Sequence, residues 1–340
     1  NGKYPCPANF KKHHAFLCID VDSLTFMCFC SRYISCFNSF VWKFNHLIRF
    51  VMKKQLLFIC LFWGYLLCSC VGPNKKDFTE IKLGYVMSAG GASHEGALEF
   101  ARLVKERTQG KIQVKVYSNG QLGNDREMIE GLSLRSVDMI IVGPSLIGWY
   151  APEYGVMEVP FLFRDYEHLD NVLYGDIGKE IEETISSKRK IHFLSYYRRG
   201  PRYLTTTKRK VITPDDLNGL KLRVPELPVY IESWNLFGAN PTPIAYSDMF
   251  MALKQGIVDG QENPLETICT SHLYETQKYV METNHLLSYY IVAVGDHFYE
   301  KFQPEEQDVI IQAIKESAVY QNELMEEYEN SYKKILNEHH

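Results

Sequence analysis

The sequence predicts an α/β protein with two hydrophobic cores, and three observations carry that prediction. From Ile81 to Tyr117 apolar residues recur first at period 2, then at helical spacing, then at period 2 again, a strand, helix, strand order. The chain has 340 residues, of which 46% are hydrophobic and 23% charged, a globular composition with length enough for two cores. Near Arg198-Arg199-Gly200-Pro201 the chain changes character, and a second series of elements follows.

The first series opens with Ile81-Lys82-Leu83-Gly84-Tyr85-Val86, which alternates as a strand does. Ala89-Gly90-Gly91-Ala92-Ser93 is a turn with a capping residue, and Ala97, Phe100, Ala101 and Val104 form the apolar stripe of the helix that follows. Lys111 to Tyr117 is predicted as a strand, Asp125 to Leu134 as a helix, Val137 to Val142 as a buried strand, Leu169 to Ser186 as one helix and Ile191 to Tyr196 as a strand. In the second series Tyr203 to Thr207 is extended, Thr213-Pro214-Asp215-Asp216-Leu217 starts a helix, and Leu220 to Val224 is a strand. Helices are predicted over Tyr230 to Phe237, Tyr246 to Gln255 and Leu265 to Thr270. Asp259-Gly260-Gln261-Glu262-Asn263-Pro264 reads as a turn-rich loop. Pro304, Glu305 and Glu306 suit a helix N-terminus, and Val309, Ile310, Ile314 and Ala318 continue as the stripe of a long packing helix.

Ahead of these elements, Met52-Lys53-Lys54, the apolar stretch Leu56 to Leu67 and Cys68-Ser69-Cys70 have the charged start and short apolar centre of a secretion signal. The apolar stretch is short for a bilayer span. Leu67-Cys68-Ser69-Cys70 resembles a bacterial lipobox, which implies lipidation of Cys70, with an uncleaved anchor helix as the alternative. Either places the body outside the cytoplasm. Residues 1–51 show neither helical nor strand periodicity, are read as an over-extended frame ahead of Met52, and receive no function. Residues 71–78 form a polar tether.

The net charge of −4 gives no field that would hold a nucleic-acid backbone. Of nine cysteines only Cys269 lies beyond residue 70, so the body has no internal disulfide framework. Phosphate loops, dinucleotide fingerprints and HExxH motifs are missing, and no metal or cofactor is expected. Cys269 and His272 pair a thiol with an imidazole, but no third group orients them, and a buried inert cysteine is the commoner state. The pattern is that of binding without turnover.

Arg223 lies between Leu222 and Val224 on a strand, so alternation points it away from those two side chains, toward solvent or toward a cleft. A surface salt bridge and a ligand clamp both fit. A guanidinium can fork two parallel hydrogen bonds onto a carboxylate, which a lysine cannot. Arg202 precedes another extended stretch, and the Asn263 amide could donate to the same oxygens.

From about Ile81 to His297 the chain resembles the substrate-binding subunit of tripartite ATP-independent periplasmic (TRAP) transporters, the DctP family. The likeness rests on Gly120-Gln121-Leu122-Gly123, Leu220-Lys221-Leu222-Arg223-Val224-Pro225, Gly238-Ala239-Asn240-Pro241-Thr242-Pro243 and Val258-Asp259-Gly260-Gln261-Glu262-Asn263-Pro264. The resemblance implies two α/β lobes, a hinge and a ligand cleft between them, with 79–200 and 289–328 in one lobe and 201–288 and 329–340 in the other. It implies Arg223 as carboxylate clamp, assisted by Arg202 and Asn263, with TRAP membrane subunits as partners of a monomeric protein. Glu226 after Pro225 suits sugar hydroxyls and repels a second carboxylate. His94, Asp125 and Tyr246 match positions that line the family pocket. Glu226-Leu227-Pro228 resembles members that bind hexuronates, which favours a sugar acid over a C4-dicarboxylate or sialate. A sensor that presents ligand to a receptor kinase stays open as a second class.

Overall fold

The computed structural model describes residues 78–339. The lipidation residue Cys70, the signal at 52–70, residues 1–51 and nearly all of the tether lie outside the described residues.

The described chain opens with β1 (Thr79–Gly84), α1 (Ala92–Arg107), β2 (Ile112–Tyr117), α2 (Asp125–Ser133), β3 (Met139–Val142), α3 (Ser145–Tyr150) and a 3-10 segment at Pro152–Glu158. Next come α4 (Tyr166–Leu173), α5 (Asp176–Arg189), β4 (Ile191–Thr206) and a 3-10 turn at Pro214–Leu217. They lead to β5 (Lys221–Val224), α6 (Pro228–Leu236), β6 (Asn240–Pro243), α7 (Tyr246–Lys254), β7 (Gly260–Pro264) and α8 (Leu265–Thr270). The chain ends with β8 (Tyr279–Met281), β9 (Leu287–Gly295), α9 (His297–Lys301) and α10 (Pro304–His339). This is the expected α/β architecture, in two halves that share one long strand.

Strand order is β2-β1-β3-β9-β4-β7-β5-β6, with β8 added on β4. In the first half β1 pairs in parallel with β2 and β3, and β9 runs antiparallel between β3 and β4. In the second half β7 and β8 run antiparallel to β4, and β5 pairs in parallel with both β6 and β7. The crossing element is β4: Ile191 to Pro201 pair with β9, whereas Arg202 to Thr206 pair with β7.

Period-2 alternation puts two cores on the first half. On β9, Tyr290, Val292 and Val294 join Ile81, Phe100 and Ile314 in one cluster, while Ile291 and Ala293 join Met128, Ile140 and Ile181 in the other. The second half has its own pair, one around Tyr203, Met249 and Ile268 and one around Leu204, Leu222 and Trp234. Helix α10 serves both halves, since Ile310 and Ile314 enter the first core and Tyr332 and Leu336 enter the Tyr203 cluster.

Three elements differ from the sequence expectation. The helix expected over Leu169 to Ser186 is two, because the chain turns at Tyr174 and Gly175 between α4 and α5. The strand expected to stop at Tyr196 is 16 residues long and runs on through Gly200 and Pro201 to Thr206, tolerated because the register shifts there and Gly200 takes φ +87°. The expected loop at 259–264 is instead the wholly buried strand β7, whose polar side chains find partners inside the protein.

Candidate functional site

A cavity lies where the crossing strand, the start of β5's following loop and the N-termini of α2 and α7 meet. Arg223, Arg202, Asn263, Glu226, Asp125 and Tyr246 all line it, together with Arg199, Trp149, Tyr230 and Tyr290. His94 is not among its lining residues. Its Nδ1 shares a 2.5 Å hydrogen bond with the Tyr85 hydroxyl, and the two rings meet edge to face, so the Tyr85 contact holds the imidazole.

Arg223 sits in β5 between β6 and β7 and is 3% exposed. Its Nε donates to the Ile244 carbonyl at 2.9 Å. That bond holds one nitrogen of a side chain that lines the cavity, and among the described residues no carboxylate is in ion-pair contact with it. Burial pushes the Arg223 guanidinium down to about 10, and the field of Glu262 only partly offsets it.

Arg202 is as deeply buried, but its Nε and Nη2 are engaged by the chain. Its Nε donates to Glu262 Oε2, and its Nη2 donates to Glu262 Oε1 at 2.9 Å, the Glu262 carbonyl at 2.7 Å and Asn263 Oδ1 at 3.2 Å. The guanidinium carbon lies 5.6 Å from the centre of the Tyr230 ring, within cation–π reach. Burial opposes the charge, yet Glu262 outweighs it and holds the group above the ordinary arginine range. For Glu262 burial acts upward, but Arg202 and then His285 Nε2, 3.1 Å away, bring the carboxyl down to about 2.

The Asn263 amide is also committed. It donates to Gln261 Oε1 at 2.6 Å and toward the Met249 sulfur, while its oxygen accepts from Arg202 and, at 3.5 Å, from Arg199. In this arrangement Asn263 orients two guanidiniums, where the sequence suggested an amide donating to ligand.

Asp125 is the first residue of α2, after the Asn124 cap, and its Oδ1 is buried without a hydrogen-bond partner. Burial pushes the carboxyl up to about 6 against the pull of Arg199 and Arg223. The Tyr246 hydroxyl bonds Ser271 Oγ at 2.8 Å. The Glu226 side chain is exposed at the cavity edge, and its carbonyl accepts from the Trp149 indole at 3.1 Å, a contact that joins α3 to the loop after β5. Trp149 in turn lies under the Arg126 guanidinium.

Sequence reading missed Arg199, Trp149, Tyr230 and Tyr290. The aromatic positions carry no local signal, and Arg199 stands three residues before Arg202, which on a regular strand places it on the opposite face. The thiol and imidazole of Cys269 and His272 are separately engaged: burial pushes the thiol up to about 12, with its sulfur toward the Tyr332 carbonyl, and His272 Nδ1 bonds the Tyr274 hydroxyl at 2.6 Å. Among the described residues no group of His, Cys, Asp and Glu is arranged to hold a metal ion.

Residues 83–340 match the family model for bacterial extracellular solute-binding protein, family 7, DctP. The chain belongs to this family. A solute-binding protein of Roseobacter denitrificans, RD1_1052, is 36% identical over 245 residues, 72% of this chain and 75% of that one. The sugar acid binding protein DctPAm of Advenella mimigardefordensis, solved in complex with galactonate, superposes with a TM-score of 0.75 at 32% identity, covering 77% of this chain and 84% of that one. A TRAP periplasmic solute-binding protein of Sulfurospirillum deleyianum, solved with bound succinate, gives a TM-score of 0.73 at 31% identity over 76% of this chain and 84% of that one. Members of the family are solute-binding proteins, extracellular by description, and this chain shares their two-lobed α/β fold.

Proposed function

We propose that this DctP-family protein captures a monocarboxylate sugar acid, a hexuronate or a related acid, and delivers it to a TRAP-type transporter without chemically changing it. One observation carries the reading: Arg223 is a buried guanidinium that lines the cavity, and among the described residues no carboxylate forms an ion pair with it. A ligand carboxylate supplies the missing charge and accepts both terminal nitrogens. Arg202, already neutralised by Glu262, shapes the wall beside it. Trp149 and Tyr230 offer ring faces for a sugar, and Glu226 and Asp125 offer acceptors for its hydroxyls. The galactonate-bound relative supports this class, and the succinate-bound relative, similar to about the same degree, represents the C4-dicarboxylate alternative.

The lobes in this reading are 79–200 with 289–328 and 201–288 with 329–340, closing about β4 and β9. Membrane attachment through lipidated Cys70, outside the cytoplasm, and a monomeric state belong to the same proposal. A thermal-shift panel of uronates, aldonates, sialate and dicarboxylates tests it. Ligand at 1,000 times its dissociation constant stabilises by about 4 kcal/mol, so the true class stands out. If only succinate or malate raises the melting temperature, the sugar-acid assignment is wrong.

A further inference from the structure

Arg199 is a cavity residue with no ion-pair partner among the described residues. It lies on β4 at the register shift between Arg198 and Gly200. Residues three apart on a regular strand face opposite sides, and the extra residue resets that alternation, so Arg199 and Arg202 both line the cavity. Bulges of this kind beside a site re-aim a side chain.

The Arg199 side chain is buried, 8% exposed, with its guanidinium 4.1 Å from the centre of the Tyr290 ring. Its Nη2 donates to Asn263 Oδ1 at 3.5 Å and to Thr267 Oγ1 at 3.4 Å, both long for such bonds, and its Nε has no partner. No acid forms an ion pair with it among the described residues. On the same cavity wall Asp125 keeps a buried Oδ1 that is also unpartnered. Both residues line the cavity and neither bonds the other, an arrangement that suits a ligand group able to accept from the first and donate to the second. A hydroxyl does both, and a carboxylate does not.

We infer that Arg199 is a specificity-determining residue which, with Asp125, reads a ligand hydroxyl, so that the site selects hydroxy acids over unsubstituted dicarboxylates. This rests on the sugar-acid reading of the cavity. A plain diacid offers oxygens to Arg199, but it brings no hydrogen to Asp125 and sets a second negative charge beside it.

The test must separate hydroxyl reading from general attraction of anions, so it compares ligands of equal charge. Titration calorimetry on the full chain uses galactonate and its single-deoxy analogues with the native protein, Arg199→Met and Arg199→Lys. One analogue should bind the native protein about 10- to 100-fold more weakly than galactonate, the loss expected for a hydrogen bond to a charged group. Arg199→Met should bind that analogue and galactonate within about twofold of each other, the sign of a direct coupling. Asp125→Asn should blunt the same discrimination although it changes the charge in the opposite sense. Arg199→Lys, which keeps the charge without the fork, should discriminate less than the native protein, and melts of the empty variants establish that they fold. If Arg199→Met weakens galactonate and every analogue by one common factor, or changes none, the assignment is overturned. If the native protein binds no sugar acid at all, the reading of the cavity fails and takes this assignment with it, a result distinct from failure of Arg199 alone.

Discussion

Arg202 and Arg223 stand in the same cavity on neighbouring parts of one sheet, 2% and 3% exposed, and are perturbed in opposite directions. Arg202 has Glu262 against two of its nitrogens and is held above the ordinary arginine range. Arg223 has a single carbonyl on Nε and is pushed down to about 10. Burial alone therefore does not distinguish a structural cation from a binding one. The distinction is where the neutralising carboxylate comes from: the chain provides it for Arg202, and under the proposed function a ligand provides it for Arg223.

The harshest way to break that contrast is to remove the partner of Arg202. Glu262→Gln leaves a buried guanidinium and His285 without their acid, and the empty protein should lose about 3–5 kcal/mol in denaturant unfolding. A loss well under 1 kcal/mol would mean that the pair is not structural.

Glu158 sharpens the same comparison, because it lies within the field of Arg202 yet is not its partner. The Tyr230 hydroxyl donates to its Oε2 at 2.7 Å, its Oε1 is unpartnered, and burial pushes the carboxyl up to about 7 despite the pull of Tyr230 and Arg202. A folded-state value above the unfolded one favours the protonated form, so the stabilisation is complete below the unfolded value near 4.5 and is lost as pH rises through about 7. The shift corresponds to about 3 kcal/mol over that window. Glu158→Gln should flatten the fall in unfolding free energy between pH 4.5 and 7; an unchanged slope assigns it to other groups.

The smallest effect on the fold should come from Arg223→Lys. It keeps the charge and loses the fork, so sugar-acid affinity in calorimetry should fall about 10- to 100-fold. The empty protein should melt near the native temperature, since no internal ion pair is broken. Normal affinity in this variant would remove the clamp role.

Much of the architecture was legible locally. Strand β1, helices α1, α2, α7 and α8 and the start of α10 announced themselves by period, caps and proline placement. What was not legible were features whose cause is nonlocal. Gln261, Glu262 and Asn263 look like loop residues, and only partners on β4 and at His285 make them a buried strand. The break between α4 and α5 and the extension of β4 past Pro201 likewise depend on neighbours.

Among the candidate site residues, Arg223 was singled out from a three-residue alternation and Asp125 and Tyr246 from matched motifs, and the fold brings them to one cavity. His94 it places instead against Tyr85. Arg199 could not be reached, because the bulge that turns it inward is written in the pairing of β4 with β9 and not in the residues beside it.

By itself the sequence determined the α/β class and the change from one series of elements to a second, because period and composition are properties of residues and their near neighbours; it left Arg223 open between a surface pair and a clamp, and it expected two cores where each half has a pair. Which arginine is paired inside the fold and which is buried without an ion pair among the described residues was decided only by tertiary structure. A guanidinium's role depends on the carboxylate that reaches it, and Glu262 lies 60 positions along the chain from Arg202.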